Sequence, residues 1–253
     1  MDYKTKYKTK YIVTDFGHLA YHYCGNADSS TAYIFIHGHF HPSLENQSSA
    51  VFDKVEDSIF KILLDSRGHG SSTRLKEYPS LGERIEDIDI LFVHIVKNYP
   101  SLKEFHLVGY SISGAVVLKS VKKLEKKYKN FKFSITLVAP LMKLSKHKKW
   151  FKKDIKNLSS TGENQITKKY KTKGLYDYSK RYFEELTSKF YLNNNRKWNS
   201  PIKILLGKND TRVSTTEIER FVIRVKAEIV FNADQEFTHY LSAEEFAEIG
   251  KSL

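Results

Sequence analysis

The sequence predicts an α/β protein with a doubly wound, mostly parallel sheet of about eight strands and a helical cap insertion. Short runs rich in β-branched and aromatic residues alternate with longer segments of helical periodicity. Several of the short runs are apolar almost throughout, as expected of strands that helices cover on both faces. The chain has 253 residues, of which 40% are hydrophobic, enough to form a large core and to exclude global disorder.

The predicted elements alternate along the chain. The predicted strands are Tyr11–Thr14, Leu19–Cys24, Ala32–His37, Ile59–Leu64, Phe105–Val108, Phe131–Val138, Ile202–Leu206 and Glu228–Phe231. The predicted helices are Leu81–Asn98, Ser113–Lys129, Thr215–Val225 and one that begins at Ala243. The first helix ends where Tyr99 precedes Pro100, because a residue before proline is pushed out of the α region.

One segment, residues 141–200, interrupts the alternation and is too long for an ordinary connection. It is rich in Lys, Tyr, Phe and Asn at helical spacing and contains no convincing strand. We therefore expect a core domain of residues 1–140 and 201–253, and a helical cap or lid of residues 141–200. The cap holds 16 Lys and Arg against 5 Asp and Glu, a net charge of +11, whereas the whole chain carries +13.

The strongest chemical signal is Gly109–Gly114, of sequence Gly-Tyr-Ser-Ile-Ser-Gly, which follows one predicted strand and precedes a predicted helix. A serine on a tight strand-to-helix turn presents its hydroxyl above the sheet edge, between small residues because the turn leaves little room. The helix N-terminus adds backbone N–H groups and a positive dipole end for an oxyanion. The alternative is a chance Gly-x-Ser in a serine-rich loop, and the strand-turn-helix context argues against it.

Here the sequence resembles the α/β-hydrolase superfamily over nearly its whole length. Gly109–Ser111 match the family's nucleophile elbow Gly-x-Ser-x-Gly, with Ser113 in place of the second glycine. Upstream, His37–Gly38 resemble the His-Gly motif that precedes the family's oxyanion loop, and Asp65–Ser72 resemble its Asp-x-Arg-Gly-x-Gly-x-Ser turn. These motifs occur in the family's order and at predicted strand ends, which makes coincidence a poor explanation.

The resemblance implies a catalytic triad in the chain order Ser, acid, His. Ser111 takes the place of the nucleophile, and Asp210 closes a Gly-x-x-Asp sequence after a predicted strand. His239 takes the place of the base, where Thr238 replaces the family's usual glycine. Asp210 could instead be a turn residue only, and Asp234 is a competing acid.

The chemistry assigns a role to each of these groups. His239 would accept the proton of the Ser111 hydroxyl during attack on a carbonyl and return it to the leaving group. Asp210 would hold the imidazole in the correct tautomer. The backbone N–H groups of Ile112 and His39 would bind the oxyanion, each such donor being worth roughly 3 to 4 kcal/mol in the transition state.

His37, His39 and His41 alternate as in a metal-binding His-x-His-x-Asp-His stretch, but Phe40 stands where Asp is required and no second ligand cluster follows. We therefore expect neither a metal nor a cofactor. Imidazoles beside an active site more often bind substrate or form hydrogen bonds. We expect Tyr110, Phe40 and His41 to contact the substrate, with simple packing as the alternative for Tyr110.

The basic residues of the cap surround Trp150 and Phe151. Such a stretch could lie on an anionic membrane surface or attract an acidic substrate, and a solvated lysine-rich face is the alternative. We do not expect nucleic acid as a partner, since no nucleic-acid-binding motif accompanies the charge and the serine elbow would be unexplained.

Cys24 is the only cysteine, and neither a signal peptide nor a membrane-spanning run is apparent, so we expect a cytoplasmic protein.

The sequence thus predicts a serine hydrolase that cleaves a carboxylic ester or thioester of a small to medium-sized substrate through an acyl-enzyme. Hydrolysis of an amide or a lactone, and acyl transfer, stay open because they use the same triad. A further alternative is a non-catalytic protein of the same fold that binds a ligand.

Overall fold

The structure is a computed structural model that describes residues 6–39, 47–141, 177–178, 185, 198–211, 213, 215–224, 229–235 and 241–253. Its strands are β1 (Lys8–Thr14), β2 (Gly17–Cys24), β3 (Thr31–Ile36), β4 (Phe60–Asp65), β5 (Glu77–Tyr78), β6 (Glu104–Tyr110), β7 (Lys132–Val138), β8 (Asp177–Tyr178), β9 (Ile202–Gly207) and β10 (Ile229–Gln235). Its helices are α1 (Leu81–Asn98), α2 (Ser113–Lys127), α3 (Thr215–Arg224) and α4 (Ala243–Gly250), together with a 3₁₀ helix at Gln47–Phe52.

One large sheet contains the strands in the order β1-β2-β4-β3-β6-β7-β9-β10. β2 pairs antiparallel with both β1 and β4, and all the other neighbours in this sheet pair in parallel. The predicted fold class is therefore confirmed. Since the carboxyl ends of parallel strands share one edge, the segments that follow β3, β4, β6, β7 and β9 all leave the sheet on the same side.

Helices cover both faces of the sheet. On one face, Leu91 of α1 and Val117 of α2 belong to the same buried cluster as Leu107 of β6. On the other face, the 3₁₀ helix and α4 pack on the sheet, and Phe35 of β3 meets Phe246 of α4 edge-on at a ring distance of 6.0 Å. No helix among the described residues is long and apolar enough to cross a membrane.

The N-terminus of α1 is held by two carboxylates. Ser80 forms a capping box, in which its hydroxyl accepts from the Glu83 N–H at 3.2 Å and its own N–H donates to Glu83 Oε2 at 2.7 Å. Glu185, from the predicted cap, accepts from the backbone N–H groups of Leu81 at 2.7 Å and Gly82 at 3.3 Å. A negative charge at this position is favoured by the helix dipole, so Glu185 stabilises α1 from within the predicted cap.

A second connection between cap and core was not predicted. β8 lies inside the segment expected to contain no strand, and it pairs in parallel with β5, with Glu77 opposite Asp177 and Tyr78 opposite Tyr178. A two-residue strand is too short to leave a periodic pattern, which explains why the sequence did not indicate it. Most of the other residues in 141–200 lie outside the described part of the chain, so the helical nature of the cap stays a prediction.

Candidate active site

A serine with an unusual backbone conformation lies at the carboxyl edge of the sheet, between β6 and α2. Ser111 has a φ of 54°, in the left-handed region that costs a non-glycine residue roughly 1 to 2 kcal/mol. Its N–H donates to the carbonyl of Val138 at 2.9 Å. Its carbonyl accepts from the N–H groups of Gly114 at 3.0 Å and Leu141 at 2.9 Å. Because Leu141 is the first residue of the predicted cap, this bond connects the start of that segment to the turn.

Two glycines allow the segments around Ser111 to approach each other closely. A Cβ at Gly109 would lie 2.8 Å from the carbonyl oxygen of Ser113, in the first turn of α2. A Cβ at Gly38 would lie 2.8 Å from the Tyr110 ring and 3.5 Å from the Cβ of Ser111. The loop that follows β3 therefore reaches the serine only because residue 38 has no side chain.

The side chain of Tyr110 is 5% exposed. Its ring meets Phe246 edge-on at 5.2 Å and lies against Gly38. These contacts favour the packing alternative, and substrate contact by Tyr110 stays a prediction. Phe40 and His41, the other two residues expected to contact substrate, lie outside the described residues.

The residue that departs from the family's elbow pattern joins a buried hydrogen-bond network. The Ser113 hydroxyl donates to the backbone carbonyl of His37. The guanidinium of Arg84, on α1, donates through Nη2 to the same carbonyl at 2.7 Å and to the Ser113 hydroxyl at 2.9 Å. Arg84 and Ser113 are both fully buried. A glycine at position 113 would leave the Arg84 guanidinium without one of these two acceptors.

The His37 imidazole is neutral and fixed in one tautomer. The N–H of Ser66 donates to its Nε2 at 3.2 Å, so Nε2 carries no proton. Its Nδ1–H consequently donates to the carbonyl of Gly38 at 2.8 Å. This internal bond constrains the start of the loop that passes Ser111.

Behind this loop, a second imidazole packs on His37 at a ring distance of 4.6 Å. His69 donates through Nδ1–H to the carbonyl of Arg67 at 3.0 Å and accepts at Nε2 from the Tyr78 hydroxyl at 3.2 Å. Burial lowers the pKa of His69 to about 3, with a further contribution from the nearby Arg84 guanidinium, so this ring is neutral. The ring of His39, in the loop after β3, also contacts Tyr78, at a ring distance of 4.8 Å.

The turn after β4 is held by two buried ionisable pairs. Asp65 Oδ2 lies 2.8 Å from His22 Nε2 and accepts from the Ser71 N–H at 2.9 Å. Asp87 accepts from Nε of Arg67 at 2.6 Å and from its backbone N–H at 2.9 Å. Burial raises the pKa of Asp87 to about 6, although Arg67 opposes the shift. The family-like turn is therefore a rigid support beneath the loop of His37.

The proposed acid lies at the same edge of the sheet. Asp210 follows β9, donates its N–H to the carbonyl of Gly207 at 3.0 Å, and accepts through Oδ1 from the N–H of Val213 at 2.9 Å. β10 runs parallel to β9, with Gln235 opposite Gly207, so the last residue of β10 lies beside the strand end that precedes Asp210. His239 itself lies outside the described residues.

The two proposed oxyanion donors belong to the two segments that flank the serine. Ile112 is the N-cap residue of α2, with φ −58° and ψ −28°, and directly follows Ser111. His39 follows Gly38 in the loop after β3, and its side chain is half-buried. Within the part of the chain that the structure describes, no three His, Cys, Asp or Glu side chains are grouped to hold a metal.

Sequence reasoning missed Arg84 and Asp87. Both lie on the buried stripe of α1 that includes Leu81, Ile88 and Leu91. A signal was present, because positions three and six residues after Leu81 fall on the apolar face of a helix that begins there. Charged residues at such positions indicate a buried polar network rather than a solvated face.

Comparisons with known proteins agree with this fold. Residues 31–245 match the family model for serine aminopeptidase, S33. Among solved structures, a protein from Agrobacterium vitis S4 described as a hydrolase aligns over 97% of both chains at 17% identity, with a TM-score of 0.76. A Pyrococcus furiosus esterase aligns over 99% of this chain and 91% of its own at 18% identity, with a TM-score of 0.70. A lipase-esterase related protein from Clostridium acetobutylicum ATCC 824 aligns over 92% of this chain and 97% of its own at 20% identity, with a TM-score of 0.67. No curated protein matches the chain significantly.

Proposed function

Because the chain belongs to the serine aminopeptidase S33 family of α/β hydrolases, we propose that it cleaves a carboxylic ester or thioester of a small to medium-sized substrate through an acyl-enzyme. The observation that carries the proposal is the backbone of Ser111. A left-handed serine between a strand and a helix is costly, and a surrounding hydrogen-bond network maintains it. Strain of this kind is retained where it presents a reacting group.

In the proposed mechanism the Ser111 hydroxyl attacks the carbonyl carbon while His239 accepts its proton. The tetrahedral intermediate collapses when His239 protonates the leaving alcohol or thiol, which leaves an acyl-serine. Water then attacks the acyl group with His239 again as base, and Ser111 is released. Asp210 would orient the imidazole of His239 and stabilise its protonated form.

The oxyanion of each intermediate would accept from the N–H groups of Ile112 and His39. Support for this comes from the closeness of the two segments, since a Cβ placed on Gly38 would lie 3.5 Å from the Cβ of Ser111. Donors fixed in place before the reaction need no reorganisation as the charge develops, which is the main source of their effect on rate.

The charge distribution favours a substrate with a negative group. The predicted cap carries a net charge of +11 and begins at Leu141, whose N–H donates to the carbonyl of Ser111. A positive field at the entrance of a cleft raises the local concentration of anions and repels a free ammonium group. As the substrate we therefore propose an acidic ester or thioester. The family's description suggests the amino-terminal residue of a peptide instead, which would carry a free ammonium group.

The test combines active-site labelling with matched substrates. A fluorophosphonate probe should label the wild type and leave Ser111→Ala unlabelled, and equal labelling of both would refute the assignment of Ser111. p-Nitrophenyl hemisuccinate and p-nitrophenyl butyrate have acyl chains of equal length, so their rates isolate the effect of the charge. The hemisuccinate should be preferred at low salt, and the preference should shrink as salt is added.

Peptide hydrolysis is the second candidate, because the matched family is described by that activity. Leucine p-nitroanilide provides the comparison. A higher kcat/KM for this amide than for either ester would favour the peptidase and contradict our choice of an ester.

A further inference from the structure

Arg84 is a fully buried cation that the proposed mechanism does not use. Its side chain has 0% exposure and is among the largest fully buried side chains of the described residues. Nη2 donates to the His37 carbonyl and the Ser113 hydroxyl, while Nε and Nη1 have no hydrogen-bond partner among the described residues. A buried guanidinium without a carboxylate partner is costly for folding, so its presence calls for an explanation.

In the part of the chain that the structure describes, the nearby ionisable groups do not neutralise this charge by direct contact. The Asp87 carboxylate is engaged by the backbone N–H and Nε of Arg67. The Glu83 carboxylate accepts from a backbone N–H at the start of α1. The neighbouring imidazole of His69 is held neutral. Arg84 therefore adds a positive charge beneath the loop that follows β3.

The contacts of Arg84 join the two segments that carry the proposed oxyanion donors. Its Nη2 lies 2.7 Å from the carbonyl of His37, two residues before His39, and 2.9 Å from the hydroxyl of Ser113, one residue after Ile112. The Ser113 hydroxyl in turn donates to the His37 carbonyl, which closes a triangle of three hydrogen bonds. This triangle fixes the distance between the two segments.

We propose that Arg84, acting with Ser113, is a positioning residue for the oxyanion hole. It fixes the spacing between the N–H groups of His39 and Ile112, and its buried charge favours the oxyanion over the neutral carbonyl. The inference rests on the proposed function. It also gives a reason for serine in place of glycine at position 113, since glycine has no side chain that could bridge Arg84 and the loop.

The proposal predicts an unusual combination of effects for Arg84→Met, which keeps most of the side-chain volume and removes the charge. The kcat for an ester should fall about 10- to 50-fold with KM within about twofold, because the loss is confined to the transition state. The thermal midpoint should stay unchanged or rise, because an incompletely paired buried cation has been removed. Arg84→Lys, which keeps the charge, should recover part of the rate. Arg220→Met, on the exposed surface of α3, is the matched control and should change neither quantity.

A trifluoromethyl ketone inhibitor provides the decisive readout, since its adduct with the serine carries an oxyanion. Its affinity should weaken by the same factor as kcat/KM in Arg84→Met and, to a smaller extent, in Ser113→Gly. Unchanged kcat and unchanged inhibitor affinity in both variants would overturn the proposal. A second result would also overturn it, namely a lowered thermal midpoint together with a normal kcat per active site, counted by fluorophosphonate labelling. That result would mean that Arg84 has a purely structural role.

The outcome remains decisive if Arg84→Met does not fold. Ser113→Gly restores the family's usual residue, and a normal rate and inhibitor affinity in that variant would overturn the proposal. Failure of the proposed function looks different, because the wild type itself would then show neither labelling nor turnover.

Discussion

Acid should destabilise this protein through a histidine behind the oxyanion loop. Burial lowers the pKa of His69 to about 3, whereas an imidazole in the unfolded chain titrates near 6.5. Below pH 6.5 the unfolded chain therefore binds a proton that the folded chain does not. The stability that His69 contributes is complete above pH 6.5 and is lost as the pH falls from there toward 3.

The size of this loss follows from the two pKa values. At pH 5.0 the unfolded imidazole is 1.5 pH units below its pKa, which corresponds to about 2 kcal/mol relative to pH 7.5. His106, whose pKa burial lowers to about 4, adds about 1 kcal/mol of loss after allowance for its partial exposure. Burial raises the pKa of Asp87 to about 6, so over the same fall in pH this residue increases the stability of the folded state by about 1 kcal/mol. The last two effects nearly cancel, so these three groups together give a net loss of about 2 kcal/mol.

Urea denaturation of the wild type and His69→Gln at pH 7.5 and pH 5.0 tests this reasoning. The variant is expected to be less stable at pH 7.5, because glutamine fills the imidazole's space imperfectly. Its stability should change by less than about 1 kcal/mol between the two pH values, against about 2 kcal/mol for the wild type. If the variant lost as much stability as the wild type, the neutral buried state of His69 would be refuted.

Three further predictions concern stability. Ser111→Gly should be about 1 kcal/mol more stable than Ser111→Ala, because both lose the hydroxyl and only glycine relieves the positive φ; equal urea midpoints would contradict this. Glu185→Ala should lower the free energy of unfolding by about 1 kcal/mol through loss of the carboxylate at the N-terminus of α1, with Glu185→Gln affected less, as measured by thermal denaturation. Arg67→Met should lower the free energy of unfolding by about 3 kcal/mol, because it leaves the Asp87 carboxylate buried without its cation. The double variant Arg67→Met with Asp87→Asn should recover part of that loss. A double variant as unstable as the single one would count against the pairing.

The central strands were predictable because burial on both faces leaves a nearly continuous apolar sequence. The prediction for β9, Ile202–Leu206, differs from the structure by one residue. The start of β1 was missed, since the strand begins at Lys8, where Lys and Thr occupy an exposed edge and show no apolar alternation. The 3₁₀ helix at Gln47–Phe52 was missed for a related reason, because six residues are too few for a helical period to be recognised.

The elements of the candidate site differ in how far the sequence could place them. Ser111 and Asp210 were predicted at strand ends, where the structure places them, because the motifs that carry them are local. The bond from Arg84 to the His37 carbonyl joins residues that are 47 positions apart, and no local pattern specifies it. Only the fold brings α1 beneath the loop after β3.

The triangle of Arg84, Ser113 and the His37 carbonyl has a consequence for how the sequence of this site can change over evolution. A relative with glycine at position 113 would leave a buried arginine with a single acceptor, and a relative with an apolar residue at position 84 would leave the serine hydroxyl without its donor. Either single change removes one of the contacts that hold the two segments together, so we expect it to slow catalysis even where stability is unchanged. Among homologues, arginine should therefore occur with serine and an apolar residue with glycine, so that the two positions are inherited as a pair.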